Sequence, residues 1–314
     1  MDRYEELQPI GKGLFSHVYC GKNRDTAHVV AIKITCPEDE VAPHDSFREV
    51  DIVKELTIGR KTQNCNIIEF LETFTQEGDE LELVIVMPYL PFDLVQLLKH
   101  SRKAEFPSGW RNDLKPQRTI EIVADLCDAL SFVHSHGIIH RDIKPQNVLF
   151  EALDGRPILC DFGISWKSPD NFGKEPTVQK IADVGTTVYR APELLFGRTD
   201  YSDAIDMWSL GCICCQLLSK SAEPLFQPYQ GDISLLGLQF QTLGTPNLDT
   251  WPSMQNSETF RSLSFEQYAG SEWTVLCPKG PQWFRDVVSK LMVFEPSWRL
   301  SASAVCRIIK ENAE

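Results

Sequence analysis

The sequence predicts an α+β protein of two unequal lobes, a small strand-rich lobe followed by a larger helical one. The chain has 314 residues, enough for two lobes that share a core. Short β-type segments and one helical segment occupy residues 4–87, whereas long amphipathic helical segments dominate residues 92–310. Residues 88–91 form a short connection between the two parts, which contain no internal repeat or low-complexity tract.

The first part combines strands with a single helix. Its β-type segments are at 7–10, 17–20, 29–34 and 81–87. The last of these alternates and then becomes apolar, as a strand entering a core does. A helical pattern covers residues 46–56, where Ser46 suits the N-cap and Glu49 would complete a capping box.

The second part is mainly helical. Helical segments are predicted at 117–136, 203–219, 283–294 and 301–310. The second of them is almost entirely apolar from Met207 to Leu218, so we expect it to be buried. Residues 104–113, just before the first long helix, have the composition of a surface insertion.

Composition narrows the class of protein. The net charge of −13 disfavours binding to nucleic acid or to anionic membranes. No apolar run is long enough to span a bilayer, and the polar first residues do not resemble a signal peptide. We therefore expect an intracellular protein of the nucleus, the cytoplasm or both. The ten cysteines form no paired C-x-x-C pattern, which favours reduced, mostly buried thiols over metal ligands.

The strongest chemical pattern is the run from His140 to Asn147, followed closely by Asp161-Phe162-Gly163. This combination is typical of phosphoryl transfer from a nucleotide. In such a site, Asp142 would receive the proton of the substrate hydroxyl. Asn147 and Asp161 would hold the magnesium ions that bridge the nucleotide phosphates. The pattern predicts ATP and Mg²⁺ as cofactors.

A second group of residues suits the other end of the nucleotide. Gly11 and Gly13 lie between two predicted strands, where glycines let the backbone approach phosphates. Such a pair alone is equally typical of an ordinary hairpin. Alternation places Ala31 and Lys33 on one face of the next strand. Ala31 could then lie over an adenine ring, while Lys33, held by Glu49, would reach the phosphates.

These motifs together resemble a eukaryotic protein kinase over nearly the whole chain. The resemblance implies a bilobal kinase fold in a single domain at 4–310, with the N-lobe at 4–87, the hinge at 88–91 and the C-lobe at 92–310. It implies that the catalytic residues are Asp142, Lys144, Lys33 and Glu49, and that the metal ligands are Asn147 and Asp161. The nucleotide-binding residues that it implies are Ile10, Gly11, Lys12, Gly13, Val18, Ala31, Lys33, Met87, Tyr89, Leu90, Asp93, Asn147, Leu149 and Asp161.

The resemblance also assigns structural and substrate-loop residues. Thr186 resembles the threonine that bonds Asp142 and Lys144, and Asp206 the aspartate that braces the catalytic loop. Glu193 and Arg299 resemble a buried ion pair, and Arg190 belongs to the same signature. The run from Thr187 to Leu195, with an insert at about 220–280, is similar to the cyclin-dependent-kinase branch of the CMGC group.

Several positions depart from that branch. Ile181 occupies the slot of the phosphorylated activation-segment threonine, and Trp166 replaces one of three phosphate-binding arginines, the others being Arg48 and Arg141. We predict that no phosphate site works here. Gly185 stands where proline-directed members carry valine, which argues against a strict Ser/Thr-Pro preference.

Taken together, these departures resemble the divergent CDK-activating kinases, of the fungal single-subunit or cell-cycle-related-kinase type. That resemblance implies other cyclin-dependent kinases as substrates. A cyclin-partnered kinase of cell-cycle or transcription control is the alternative. A non-catalytic scaffold is disfavoured because every catalytic residue is present. Cys160 has two interpretations, a small core residue or a reactive thiol facing the nucleotide.

Overall fold

The computed structural model describes residues 2–58, 66–77, 80–105, 109–227 and 230–313. The first part is a five-stranded antiparallel sheet in the order β1-β2-β3-β5-β4, with helix α1 between β3 and β4. Its elements are β1 (Tyr4–Lys12), β2 (Ser16–Asn23), β3 (Val29–Thr35), α1 (Ser46–Ile58), β4 (Glu72–Glu77) and β5 (Leu81–Pro88). The predicted strands and the predicted helix are all present.

Strand β3 lies at the centre of the sheet, between β2 and β5, and has buried side chains on both faces. Ile32 is fully buried in one apolar cluster with Val86, and Ala31 is buried on the opposite face. The register places Ala31 opposite Met87 and Lys33 opposite Ile85. Lys33 therefore lies on the face of the sheet that is turned toward α1.

The expected capping box at the start of α1 is wrong. Asp45, not Ser46, caps the helix, because its carboxylate accepts the backbone N–H of Arg48 at 2.8 Å. Ser46 is instead the first helical residue, and its own N–H is bound by Glu40 at 2.8 Å. Glu49 is therefore free of any capping role and turns toward Lys33.

The second part is built from helices. Those described are α2 (Leu94–His100), α3 (Pro116–Ser135), α4 (Pro192–Leu195), α5 (Ala204–Leu218), α6 (Asp232–Leu243), α7 (Glu258–Ser262), α8 (Trp273–Leu276), α9 (Gln282–Leu291) and α10 (Ala302–Ala313). As predicted from its composition, α5 is buried over almost its whole length. It packs against α3 and α9, and its Trp208 lies fully buried among Phe226 and Phe294.

Short strands complete this part and carry the loops of the cleft. They are β6 (Phe92–Asp93), β7 (Arg102–Glu105), β8 (Gly109–Asn112), β9 (Ile138–Ile139), β10 (Val148–Phe150), β11 (Ile158–Leu159) and β12 (Trp166–Lys167). β11, β10 and β6 form one small sheet, and β12 pairs with β9.

The predicted surface insertion is an antiparallel hairpin of β7 and β8, although its residues 106–108 lie outside the described part. Trp110 on this hairpin is more than half exposed. Among the helices that the structure describes, none is both long enough and apolar enough to cross a membrane.

Candidate active site

Asp142 is the centre of a dense hydrogen-bond network at the base of the cleft. Its Oδ1 accepts the Thr186 hydroxyl at 2.7 Å, and its Oδ2 accepts the Lys144 amine at 2.6 Å. The Asn147 amide donates to the Asp142 backbone carbonyl at 2.8 Å. These contacts leave the carboxylate oriented and partly open to solvent, as a proton acceptor for a bound hydroxyl must be.

The backbone under Asp142 is held from below by Asp206 on α5. The buried Asp206 carboxylate accepts the N–H groups of His140 and Arg141, both at 2.9 Å, and contacts His134 at 2.9 Å. Arg141 has φ +70°, an unfavourable value for a side chain of this size. The two N–H bonds to Asp206 hold this strained residue in place, which sets the position of Asp142 beside it.

Lys33 connects the two parts of the molecule. Its amine lies 2.7 Å from Glu49 Oε2 and 3.4 Å from Asp161 Oδ1. Burial by itself would lower the pKa of Lys33, but the two carboxylates more than offset it, so the pKa is raised. Burial by itself would raise the pKa of Asp161, yet Lys33 and Lys144 hold it below its usual range. Lys33 is therefore cationic and Asp161 anionic at neutral pH.

The loop that carries Asp161 is arranged with Phe162 buried in the core and Asp161 turned toward the cleft. Phe162 is fully buried, 4.7 Å from the His140 ring, and His140 Nε2 lies 3.0 Å from the Cys160 carbonyl. This packing turns the Asp161 carboxylate toward the cleft beside Lys33. Gly163 follows, and the Asp45 N–H at the start of α1 donates to its carbonyl at 3.1 Å.

Asn147 and Asp161 fit a magnesium ion by their donor atoms. Both present oxygen, the ligand that Mg²⁺ prefers. The Asn147 Nδ2 bonds to Asp142, which assigns its Oδ1 to the acceptor side of the amide.

The remaining predicted nucleotide residues lie on the five-stranded sheet, just after it and on β10. Ile10, Gly11 and Lys12 lie on β1, Gly13 in the turn, Val18 on β2, Ala31 on β3, Met87 at the end of β5, Tyr89 and Leu90 just after it, and Leu149 on β10. A β-carbon on Gly13 would lie 2.7 Å from the Ser16 hydroxyl, so a side chain there would require Ser16 to move. Asp93, expected at the ribose, also caps α2 through a bond from the Gln96 N–H at 2.7 Å.

Comparison with known proteins decides the family. Residues 4–308 match the model of the protein kinase domain. Cyclin-dependent kinase B2-1 of Arabidopsis thaliana is 31% identical over 307 residues, which cover 96% of this chain and 91% of that protein. Cyclin-dependent kinase B2-2 of the same plant is 29% identical, covering 96% and 90%. This chain belongs to the protein kinase family. It is a serine/threonine kinase of the cyclin-dependent-kinase branch, and its family uses ATP and Mg²⁺.

The kinase has a pocket of about 220 Å³ between Asp142 and the loop before Thr186. Its walls include Asp161, Asp183, Gly185 and His44. Sequence patterns do not predict His44, which approaches from the segment before α1, with its ring 5.0 Å from that of Phe15 in the glycine loop. Burial lowers the pKa of His44, so its imidazole is neutral at physiological pH.

Two arginines hold the substrate loop of the kinase. Arg190 lies 3.3 Å from Asp183 and 3.5 Å from Asp232. Arg299 binds Glu193 with both guanidinium ends, at 2.6 and 2.8 Å, and is fully buried. This second pair has the bidentate geometry that the resemblance implies.

The region of the missing activation-segment threonine contains a carboxylate that sequence patterns do not predict. Glu175 is buried and accepts both ends of Arg141, at 2.6 and 3.1 Å. Arg48 makes no such contact and donates to the carbonyls of Pro43 and Gly163. The indole N–H of Trp166 donates to the Glu175 carbonyl at 2.9 Å. No local pattern marks Glu175, because Arg141, its charged partner, lies 34 residues away in sequence.

Cys160 lies in the core, with 9% of its surface exposed. Burial raises the pKa of its thiol well above the ordinary value. The thiol is therefore protonated at neutral pH, which favours the interpretation as a small core residue over that of a reactive group.

Proposed function

We propose that this kinase phosphorylates the activation-segment threonine of other cyclin-dependent kinases, and that it does so without a cyclin. The observation that carries the proposal is the closed Lys33–Glu49 pair, 2.7 Å long, on a helix that the chain's own activation segment braces. In this family the pair must form before the site is competent. Support for this helix from within the chain would make an activating subunit unnecessary.

Helix α1 is braced by the chain's own activation segment. Lys174 pairs with Asp45 at the start of the helix, and Lys167 pairs with Glu55 in its last part. Together with the bond from the Asp45 N–H to the Gly163 carbonyl, these contacts join α1 to the segment along one side. A cyclin would supply this kind of support from outside; here the chain supplies it from within.

The choice of substrate rests on Gly185. Its φ of +81° is accessible to glycine without strain, and a β-carbon would lie 3.0 Å from the Arg141 carbonyl. With no side chain there, the backbone can approach the residue that follows the phosphorylated hydroxyl. A proline at that substrate position has no N–H to donate to it. Phosphorylation sites without a following proline are therefore open to this kinase.

The transfer follows from the geometry of the site. The substrate hydroxyl would enter the pocket beside Asp142 and attack the γ-phosphorus, while its proton passes to the carboxylate. The bond from the γ-phosphorus to the bridging oxygen breaks and leaves ADP. Lys33 and Lys144 would stabilise the charge that develops on the phosphate oxygens. Magnesium, held by Asn147 and Asp161, would supply further positive charge.

A cyclin-partnered kinase is the second candidate, and one observation favours it. Phe47 on α1 is 45% exposed, Ile58 at its end 72%, and Val41 just before it 66%. Exposed apolar side chains around one helix can mark a protein interface. Both relatives compared above are named cyclin-dependent kinases.

The test is phosphate transfer by the purified chain alone with ATP and Mg²⁺. One acceptor is a catalytically inactive cyclin-dependent kinase, and the other is the same protein without its activation-segment threonine. Asp142→Asn in the present chain is the control for contaminating activity.

Transfer to the first acceptor and not to the second supports the proposal. Transfer that requires an added cyclin favours the second candidate. Rapid phosphorylation of unrelated proteins, with the inactive kinase left unmodified, would exclude the proposed substrate.

A further inference from the structure

Glu175 lies against Arg141, one of the two arginines that match the set with which this branch binds its activating phosphate. It is 5% exposed and accepts Arg141 Nη1 at 2.6 Å and Nη2 at 3.1 Å. We propose that Glu175 is a built-in substitute for that phosphate, a positioning residue that acts on Asp142 through Arg141. The inference rests on the kinase activity of the family and not on the proposed substrate.

The carboxylate has a complete set of partners. Its Oε1 also accepts the N–H of Ile181 at 2.7 Å, and its Oε2 accepts the Asn171 amide at 3.2 Å. The Tyr201 hydroxyl accepts from Arg141 at 2.9 Å and donates to the Ile181 carbonyl at 2.7 Å. A buried charge is tolerated only when it is paired and hydrogen-bonded in this way. The cluster is thus a built anion site that contains its own anion.

The positive charge beside Glu175 suits a carboxylate, with its single negative charge, better than a phosphate. A phosphothreonine carries about −1.5 to −2 charges and calls for several arginines. Among the described residues, Arg141 is the one cationic side chain with a hydrogen bond to the Glu175 carboxylate, whereas Arg48 binds the carbonyls of Pro43 and Gly163. Trp166 replaces the third cation, and its indole donates only to the backbone of Glu175. The loss of the threonine at Ile181 and the loss of two arginine contacts are therefore parts of one change, from phosphate to carboxylate.

Arg141 links this site to the catalytic atoms. Its Nε donates to the Ile164 carbonyl at 2.6 Å, just beyond the loop that carries Asp161, and its N–H donates to Asp206 at 2.9 Å. Asp142 is the next residue in the chain. A permanent Glu175–Arg141 pair therefore orders the activation segment, the metal loop and the catalytic loop together. Unlike a phosphate, it cannot be removed by a phosphatase.

The experiment compares Glu175→Gln with Glu175→Asp on the full chain, using myelin basic protein and random Ser/Thr peptides as acceptors. Glu175→Gln keeps the shape but removes the charge, and we expect kcat to fall about 100-fold with an unchanged KM for ATP. Glu175→Asp keeps the charge and should recover part of the loss. Glu151→Gln, an exposed glutamate after β10, is the matched control and should retain the native kcat.

A folded Glu175→Gln variant with the native kcat would overturn the proposal. So would a Glu175→Asp variant as inactive as Glu175→Gln, because packing rather than charge would then decide. Should Glu175→Gln not fold, the native chain provides the second measurement. After phosphatase treatment, with mass spectrometry confirming that no phosphate remains, its kcat should be unchanged; a tenfold fall would contradict the inference. Since the acceptors are generic, failure here is distinct from failure of the proposed substrate.

Discussion

Two buried arginine–glutamate pairs in the same lobe have nearly the same geometry and very different surroundings. Arg299 with Glu193 and Arg141 with Glu175 are both bidentate, each with a shortest distance of 2.6 Å and a fully buried arginine side chain. Arg299 also donates to the carbonyls of Ala204, at the start of α5, and of Val293 and Phe294, just after α9.

Arg141 instead contacts the activation segment and the loop beside the metal site. The first pair joins α4 to the segment between α9 and α10, whereas the second joins the activation segment to the catalytic loop. The same ion pair can serve the stability of a core in one place and the order of a catalytic loop in another, depending on what it joins.

The largest expected effect on stability is at the first pair. Glu193→Ala leaves the Arg299 guanidinium buried without its counter-charge, and we expect a loss of about 3–5 kcal/mol in the free energy of unfolding. Urea denaturation measures this, with the exposed Glu311→Ala as control. A loss below about 1 kcal/mol would mean that water or rearrangement satisfies Arg299.

At the second pair we expect a smaller loss of stability and a larger loss of activity. Glutamine at 175 retains an amide oxygen that can accept from Arg141, whereas alanine at 193 removes the whole acceptor. Arg141 also keeps the Ile164 carbonyl and the Tyr201 hydroxyl, so the cost should be about 1–3 kcal/mol. The measurements are kcat and the free energy of unfolding of Glu193→Ala and of Glu175→Gln. Equal stability losses, with kcat per folded molecule unchanged in both, would make the two pairs equivalent.

Acid should weaken the backbone support of Arg141. Burial by itself would raise the pKa of Asp206, but His134 and the N–H bonds lower it below its usual range. A lowered folded pKa contributes stability that is present above the unfolded pKa, near 4, and is lost as the pH falls through the folded value. The urea midpoint of the native chain should therefore fall more steeply below pH 4 than that of Asp206→Asn. If the urea midpoints of the two proteins fell in parallel below pH 4, Asp206 would not be a cause of the acid sensitivity.

The smallest effect should come from the braces of α1. Lys167 and Lys174 pair with carboxylates at partly exposed positions, where an ion pair contributes about 1 kcal/mol or less. Lys167→Gln with Lys174→Gln should lower kcat by less than about tenfold, and added salt should reduce the difference from the native chain. An added cyclin that restored the variant but did not affect the native chain would identify these lysines as an internal substitute for that partner.

Much of the site was predictable because its residues are close together in sequence. The catalytic loop places Asp142, Lys144 and Asn147 within six consecutive residues, and alternation along β3 puts Ala31 and Lys33 on one face. The capping of α1 was not predictable. Asp45 and Ser46 are both good N-cap residues, and only the chain's approach from Glu40 decides between them.

The sequence by itself determined the two-part α+β plan, the positions of the main helices and strands, and the identity of the catalytic loop. Periodicity and contiguous motifs are local properties, so they can be found without coordinates. The tertiary structure alone decided that Glu175 meets Arg141, 34 residues away, and that Arg48 turns to backbone carbonyls. Such contacts depend on how an irregular segment folds over the surface, and no period in the sequence encodes that path.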